Sequence, residues 1–361
     1  MPYPEEFTGI GVTSIDKWDS PERVTYKAKK FDPHDIDIQI DVCGVCGSDL
    51  HTVQGHWRAI RESMVVGHEI IGTVVRIGSE CNSNLKIGDR VGVGAQVLSC
   101  LTCDLCQEGN EPYCAEFVSC YNRPYKDGYV SQGGYASHVR VHEHFVVPIP
   151  ENIESELAAP LLCGGVTVYS PLKRNGCGPG KKIGIVGIGG LGHMAILFAK
   201  AMGAEVWAFS RKSNKRDDSL KLGADYYIAT SEEKDWEQSI IHKLDLVLVC
   251  ASSLKQIDLD KYIKCMKIGG KIISVCVPHR DEKLTLSGFG LMGVHISNSS
   301  LGSPQEIRDL LKLVSDNNIK IWVETLPVGV KGVTEALTRL DKGDVRYRFS
   351  LIDYDKEFLR E

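Results

Sequence analysis

Residues 181–193 read KKIGIVGIGGLGH, and this stretch limits the fold more than any other. A continuous apolar run breaks on Gly187, Gly189, Gly190, Leu191 and Gly192. Apolar residues at helical spacing follow at Met194, Leu197, Phe198 and Ala201. The pattern is strand, tight turn, helix. Glycines so placed let backbone approach a pyrophosphate, which then rests on the positive end of the helix. The runs AEVWAFS, ADYYIAT, LDLVLVCA, GGKIISVCV and GVHISNS, parted by helix-length segments, extend this unit into a parallel, doubly wound sheet of the Rossmann type. A glycine-rich turn without a ligand would not explain why the glycines recur at this spacing.

The residues before it have a different texture. DIDIQIDVCG alternates Ile36, Ile38, Ile40 and Val42, the pattern of a half-buried strand, and glycine-punctuated short strands follow. After the sheet, SPQEIRDLLKLVSDNNI predicts a helix capped by Ser303 and Glu306, with Pro304 first inside. Ile307, Leu310, Leu311 and Val314 form its apolar face. At 361 residues the chain exceeds what one hydrophobic core serves well. The expected class is α/β: a β-rich domain over residues 1–155, a dinucleotide-binding domain over 156–299, and a return over 300–361 that completes the first.

The net charge of −5 and the lack of a dense basic run argue against a nucleic-acid partner, and no apolar run is long enough to span a membrane. The opening residues do not read as a targeting segment, so a cytoplasmic chain is expected. In a reducing compartment, clustered cysteines point to metal or catalysis rather than disulfides. Cys100, Cys103, Cys106 and Cys114 have the spacing C-x2-C-x2-C-x7-C. Four thiolates converging on one tetrahedral zinc leave no open position, which makes the site structural. An iron–sulfur cluster would accept the same ligands.

A second set is scattered: Cys43, Cys46, Ser48, Asp49 and His51 in CGVCGSDLH, His68 and Glu69 in GHE, and Cys163 in LLCGG. Cys163 alone reads as a small buried hydrophobe and His68 alone as a core histidine. Together, two thiolates and an imidazole form the Cys2His set of a catalytic zinc with a fourth position free, and spacing leaves the choice between Cys43 and Cys46 open.

These sets and the glycine loop, in this order, resemble the zinc-dependent medium-chain alcohol dehydrogenases, most nearly the cinnamyl-alcohol dehydrogenase group and its fungal NADP-dependent members of broad specificity. CGVCGSDLH, VVGHEIIG, RVGVGAQ, AAPLLCGG and KIWVETLPV carry the resemblance along nearly the whole chain. It implies a GroES-like catalytic domain interrupted by a Rossmann domain. It further implies a catalytic zinc on Cys46, His68 and Cys163, with Glu69 a neighbour able to replace water, and so prefers Cys46 to Cys43. Cys100, Cys103, Cys106 and Cys114 match the structural zinc lobe, making two zinc ions per chain. Ser48 and His51 match the proton relay, and Trp57 and Leu301 match pocket walls. The implied reaction is reversible hydride transfer between a nicotinamide and small-molecule aldehydes or alcohols of cinnamyl or medium-chain aliphatic type. The resemblance and the apparent edge strand GVHISNSS together imply a homodimer.

The choice of dinucleotide rests on AFSRKSNKR. An NAD site usually ends its second strand in a carboxylate that holds the ribose 2′-hydroxyl. Here that place is Ser210, and Arg211 and Lys215 supply cations for a 2′-phosphate, which points to NADP(H). The basic run also stands at an apparent helix start, where an anion would offset its clash with the helix dipole. The rival readings are an NAD-dependent polyol dehydrogenase of the same fold and a non-catalytic protein that binds a dinucleotide or zinc. The latter would be expected to lack a ligand or the relay.

Overall fold

The computed structural model describes residues 5–57, 59–60, 63–251, 253, 257–276 and 293–359. The chain divides into two compact units, Met1–Cys163 with Gly302–Glu361, and Gly164–Leu301. The crossings thus fall a few residues beyond the boundaries expected at 155 and 299.

The first unit is organised by the strand Asp35–Val45, which pairs antiparallel with Ile70–Ile77 on one edge. On its other edge it takes His138–His142 along the first half and Arg348–Ile352 along the second. The sheet continues through Arg90–Val93 to Val146–Pro148, and Val323–Pro327 flanks the C-terminal strand. The last residues of the chain therefore contribute strands to the sheet begun near residue 35. The alternation of Ile36, Ile38, Ile40 and Val42 is real, but the opposite face is covered too. Asp35 and Asp37 are buried there, and the guanidinium of Arg140 grips Asp37 at 2.7 and 3.1 Å. Polar residues on the second face thus mark a buried ion pair rather than solvent.

The helix Pro304–Asp316 forms as its sequence predicts. Ser303 Oγ accepts from Glu306 N at 3.2 Å, Glu306 Oε2 accepts from Ser303 N at 3.0 Å, and Ile307, Leu310, Leu311 and Val314 are buried.

Among the described residues, the second unit holds a six-stranded sheet whose pairings are all parallel. Its order is Tyr226–Ala229, Glu205–Ser210, Lys182–Val186, Leu244–Val249, Met266–Ser274 and His295–Asn298. The first three strands in the chain run outward one way and the next three the other, so the order reverses beside Lys182–Val186. Crevices at such a reversal, outside the carboxyl ends of the strands, are where open α/β sheets bind ligands. Lys182–Val186 delivers its carboxyl end, and with it Gly187, to that place.

Arg140→Met would strand the Asp37 carboxylate in the interior. It should cost about 3–5 kcal/mol and lower the thermal midpoint clearly, whereas Asp37→Leu combined with Arg140→Met should recover much of the loss. Calorimetry of the three variants checks this.

Candidate functional site

The helix Gly47–Val53 starts where Cys46 takes extended backbone, and Asp49 closes that first turn by accepting from Cys46 N at 2.8 Å. Asp49 is fully buried and does more than cap. It also accepts from Gly67 N at 3.0 Å, from the Tyr135 hydroxyl at 3.1 Å and from Nδ1 of His68 at 2.8 Å. With two backbone N–H groups and a hydroxyl already donating to Asp49, the His68 Nδ1 also donates to it, and Nε2 is turned to Cys163 Sγ, 3.1 Å away.

The ligand atoms of Cys46, His68, Glu69 and Cys163 lie within 4.8 Å of one another, and all four residues are buried. Cys43, by contrast, lies in the hydrophobic core of the first unit. A hydrogen bond from Cys163 holds the Cys46 thiol well below its usual range, against the opposing effect of burial. Glu69 is already engaged: its carboxylate receives NH2 of Arg348, Oε2 at 2.6 Å. Burial pushes Glu69 up to about 7 while the Arg348 charge pulls it down. With Glu69 so occupied, two sulfurs and one imidazole nitrogen remain, a donor set that fits zinc and leaves a position for an exchangeable oxygen. Asp49 behind His68 is the outer carboxylate that fixes a metal-binding imidazole.

Ser48 and His51 stand three residues apart and so share one face of the short helix. Ser48 Oγ is 3.7 Å from Cys46 Sγ. His51 packs beside Trp57, with ring centroids 5.2 Å apart. Leu301, in the second unit, is half-buried in left-handed backbone.

The four cysteines of the lobe converge. Four of their sulfur–sulfur separations are 3.5, 3.6, 3.9 and 3.9 Å. Sulfurs about 2.3 Å from a tetrahedral zinc stand about 3.8 Å from each other, whereas a disulfide needs about 2.05 Å. Among the described residues no cysteine forms a disulfide. Backbone N–H groups of Thr102 and Cys103 draw Cys100 down to about 6, a thiolate environment. The four residues thus fit a closed metal site.

In the second unit, Gly187 has φ of +89° and donates its N–H to Phe209 O. A Cβ on Gly192 would fall 2.0 Å from the Gly187 carbonyl oxygen, so the helix Gly192–Ala201, capped by Leu191, can begin this close to the strand only on glycine. A Cβ on Gly189 would meet nothing within 4 Å. Space over Gly189 is open, as a pyrophosphate resting on the loop would require, and Gly190 beside it is half-buried. Ser210 ends the neighbouring strand one residue past Phe209, which pairs with Val186. Arg211 is exposed, and Lys215 donates to the carbonyl of Ile188 inside the loop.

The basic run does not open a helix as its sequence implies. A 3-10 turn, Ser213–Lys215, intervenes, and the six-residue helix Arg216–Lys221 carries Asp217 and Asp218 in its first turn. Arg216 pairs with Glu233 at 3.1 Å. Arg211 and Lys215 therefore precede the helix, and no clash with its dipole calls for an anion there; Ser210, Arg211 and Lys215 remain as the residues suited to a phosphate.

Residues 32–151 match the alcohol dehydrogenase GroES-like domain, and residues 190–316 the zinc-binding dehydrogenase domain. The chain is 61% identical over 99% of its own length, and 99% of the relative's, to NADP-dependent alcohol dehydrogenase 6 of Saccharomyces cerevisiae. A cinnamyl alcohol dehydrogenase of Sorghum bicolor superposes with a TM-score of 0.88 at 32% identity, covering 96% of this chain and 97% of that one. The cinnamyl alcohol dehydrogenase of Helicobacter pylori, solved with NADP(H), gives 0.86 at 30%, covering 96% and 98%. The chain belongs to the zinc-binding alcohol dehydrogenase family.

Two residues of this dehydrogenase's site escaped the sequence reading. Asp49 stood inside CGVCGSDLH without a task, although an acid three residues into a helix is a recognisable cap. Arg348 lies 279 residues from Glu69, and nothing in VRYRFS marks it.

Asp49→Asn should lower the thermal midpoint, because its amide nitrogen cannot accept the bonds that one carboxylate oxygen takes, and weaken metal retention at Cys46, His68 and Cys163 about 10–100-fold. The four-cysteine lobe should be unaffected. Chelator competition that follows the two metal populations separately checks both outcomes.

Proposed function

We propose that this dehydrogenase catalyses reversible reduction of aromatic, cinnamyl-type and medium-chain aliphatic aldehydes to primary alcohols with NADPH. The observation that carries this reading is the occupied Glu69. With its carboxylate on Arg348, the buried cluster reduces to Cys46, His68 and Cys163, an open rather than a closed set. These three residues would hold a zinc ion, and Cys100, Cys103, Cys106 and Cys114 a second. When bound, zinc supplies Lewis acidity toward a carbonyl or alcohol oxygen, and NADP(H) supplies or accepts the hydride.

The chain's own residues do the rest. The Cys46 and Cys163 thiolates neutralise a divalent ion, and Asp49 keeps His68 in the tautomer that can ligate. Ser48 Oγ hydrogen-bonds the substrate oxygen and His51 carries the proton onward, both without permanent charge. Trp57, packed beside His51, serves as an apolar wall for a flat or aliphatic substrate.

For the dinucleotide, Ser210 replaces the carboxylate that would repel a 2′-phosphate. Arg211 offers a planar fork to its oxygens and Lys215 a point charge. The yeast relative is named NADP-dependent and the Helicobacter structure holds NADP(H), in line with this assignment. NADPH oxidation with cinnamaldehyde tests the activity. Replacing Ser210 by Asp and Arg211 by Ala should move the preference toward NADH by about tenfold for each charge-assisted bond lost, mainly in KM. Equal kcat/KM for both cofactors in the unmodified enzyme would overturn the assignment.

The enzyme acts as a cytoplasmic homodimer in this reading. His295–Asn298 pairs with Met266–Ser274 on one side, and Ile268 on that second strand is 88% exposed, an apolar residue that a twofold partner would cover. Native mass spectrometry should record a dimer with two zinc ions on each chain. A monomer at micromolar concentration, or one ion per chain, would contradict it.

A further inference from the structure

In the second unit the strand Glu205–Ser210 leaves the sheet at Ser210, and the chain beyond it stays tied to its neighbour. The strand Tyr226–Ala229 pairs with it as far as Ser210 and Ala229. Contact continues past that pair. Thr230 N donates to Ser210 O at 2.8 Å and Ser231 N to Arg211 O at 3.0 Å. The Tyr227 hydroxyl donates to Lys212 O, and Ser213 N donates to Glu232 Oε2 at 3.1 Å. Four consecutive residues, Ser210 to Ser213, are thus held by one adjoining segment. At the far end Ser219 Oγ donates to Lys215 O at 2.7 Å.

Three of the four ties come from residues past the strand, and one comes from within it. Tyr227 pairs with Ala208, yet its hydroxyl meets a carbonyl four residues farther on, a span that a serine or threonine could not cross. Its ring is buried, and the guanidinium of Arg216 lies 5.0 Å from the ring centroid. Arg216 also donates to Tyr227 O at 3.3 Å and pairs with Glu233, which in turn accepts from Ala229 N at 2.8 Å. Burial holds the phenol above its ordinary range, against the Ser210 hydroxyl and the Arg216 charge, so it remains a neutral donor. Lys212 takes extended backbone before the turn Ser213–Lys215, and so stands between Arg211 and Lys215.

We propose that Tyr227 is a positioning residue for the dinucleotide's 2′-phosphate, fixing the loop from Ser210 to Lys215 through the Lys212 carbonyl. This rests on the NADP(H) reading above. A loop held in its bound shape loses little freedom when the phosphate arrives. Without the hydroxyl, Lys212 O loses its partner and the loop must be ordered at the expense of phosphate affinity. NADH has no 2′-phosphate and gains nothing from that order.

The test is Tyr227→Phe, which keeps the ring beside Arg216 and removes only the hydroxyl. Calorimetric titration of the zinc-loaded enzyme uses adenosine 2′,5′-bisphosphate and adenosine 5′-monophosphate as probes. The variant should bind the bisphosphate about tenfold more weakly and the monophosphate as before. With cinnamaldehyde, KM for NADPH should rise by the same factor while kcat holds. In the unmodified enzyme without dinucleotide, the Thr230 and Ser231 amides that donate to the loop should already exchange slowly with deuterium. Unchanged bisphosphate affinity in the variant, an equal loss for both probes, or rapid exchange of those amides in the unmodified enzyme would overturn the proposal. Failure of the NADP(H) reading shows separately, as an unmodified enzyme that binds both probes equally, and would overturn it as well.

Discussion

One buried carboxylate holds the candidate active site together. Asp49 accepts from the Cys46 N–H, the Gly67 N–H, the Tyr135 hydroxyl and the His68 ring. Those donors come from a helix start, the loop before the strand Ile70–Ile77, and the segment before His138–His142. A carboxylate out of reach of water needs such donors, and in a low dielectric each bond strengthens the others. The same network therefore solves a folding problem and a chemical one. It cannot be satisfied unless three distant segments assemble, and once assembled it leaves His68 with Nε2 facing Cys163.

Charge balance imposes the second constraint. Cys46, Asp49 and Glu69 put several negative or proton-sharing groups into one buried volume, and Arg348 is the cation set against them. Burial opposes the guanidinium charge, yet Glu69 and Cys46 raise the Arg348 pKa overall. Arg348 reaches the site because its strand continues into Phe349, Ser350 and Leu351, which pair with Val45, Gly44 and Cys43. The C-terminal return thus does more than finish a sheet. It sets the ligand count, because a Glu69 released from Arg348 would compete for the open position.

What could be read in the sequence was whatever is local. The strand–glycine–helix unit, the capping box at Ser303 and the four-cysteine cluster each lie within a single stretch of about twenty residues or fewer, and the structure forms the first two and brings the four sulfurs together. Misreadings arose where a residue's partner is remote. The polar positions of DIDIQIDV looked solvent-facing because Arg140, which neutralises Asp37, lies 103 residues away. The run after Ser210 looked like a helix start because the tight turn at Ser213–Lys215 carries no strong signal of its own. Arg348 was invisible for the same reason: pairing of strands across some three hundred residues decides its position.

The two cysteine-rich sites divide along the same line. Residues 96–119 hold one two-stranded ribbon, Gln96–Leu98 with Val118–Ser119, and leave Leu105 and Tyr113 exposed. So small a lobe buries too little apolar surface to hold its own loops, and a metal bound by four near-sequential thiolates would supply that order. Its ligands can lie close in sequence because nothing else must enter. The Cys46, His68 and Cys163 set draws its ligands from across the first unit, where the packed sheet already fixes them. A site that owes its geometry to the fold, rather than lending geometry to it, can keep one coordination position for a substrate oxygen.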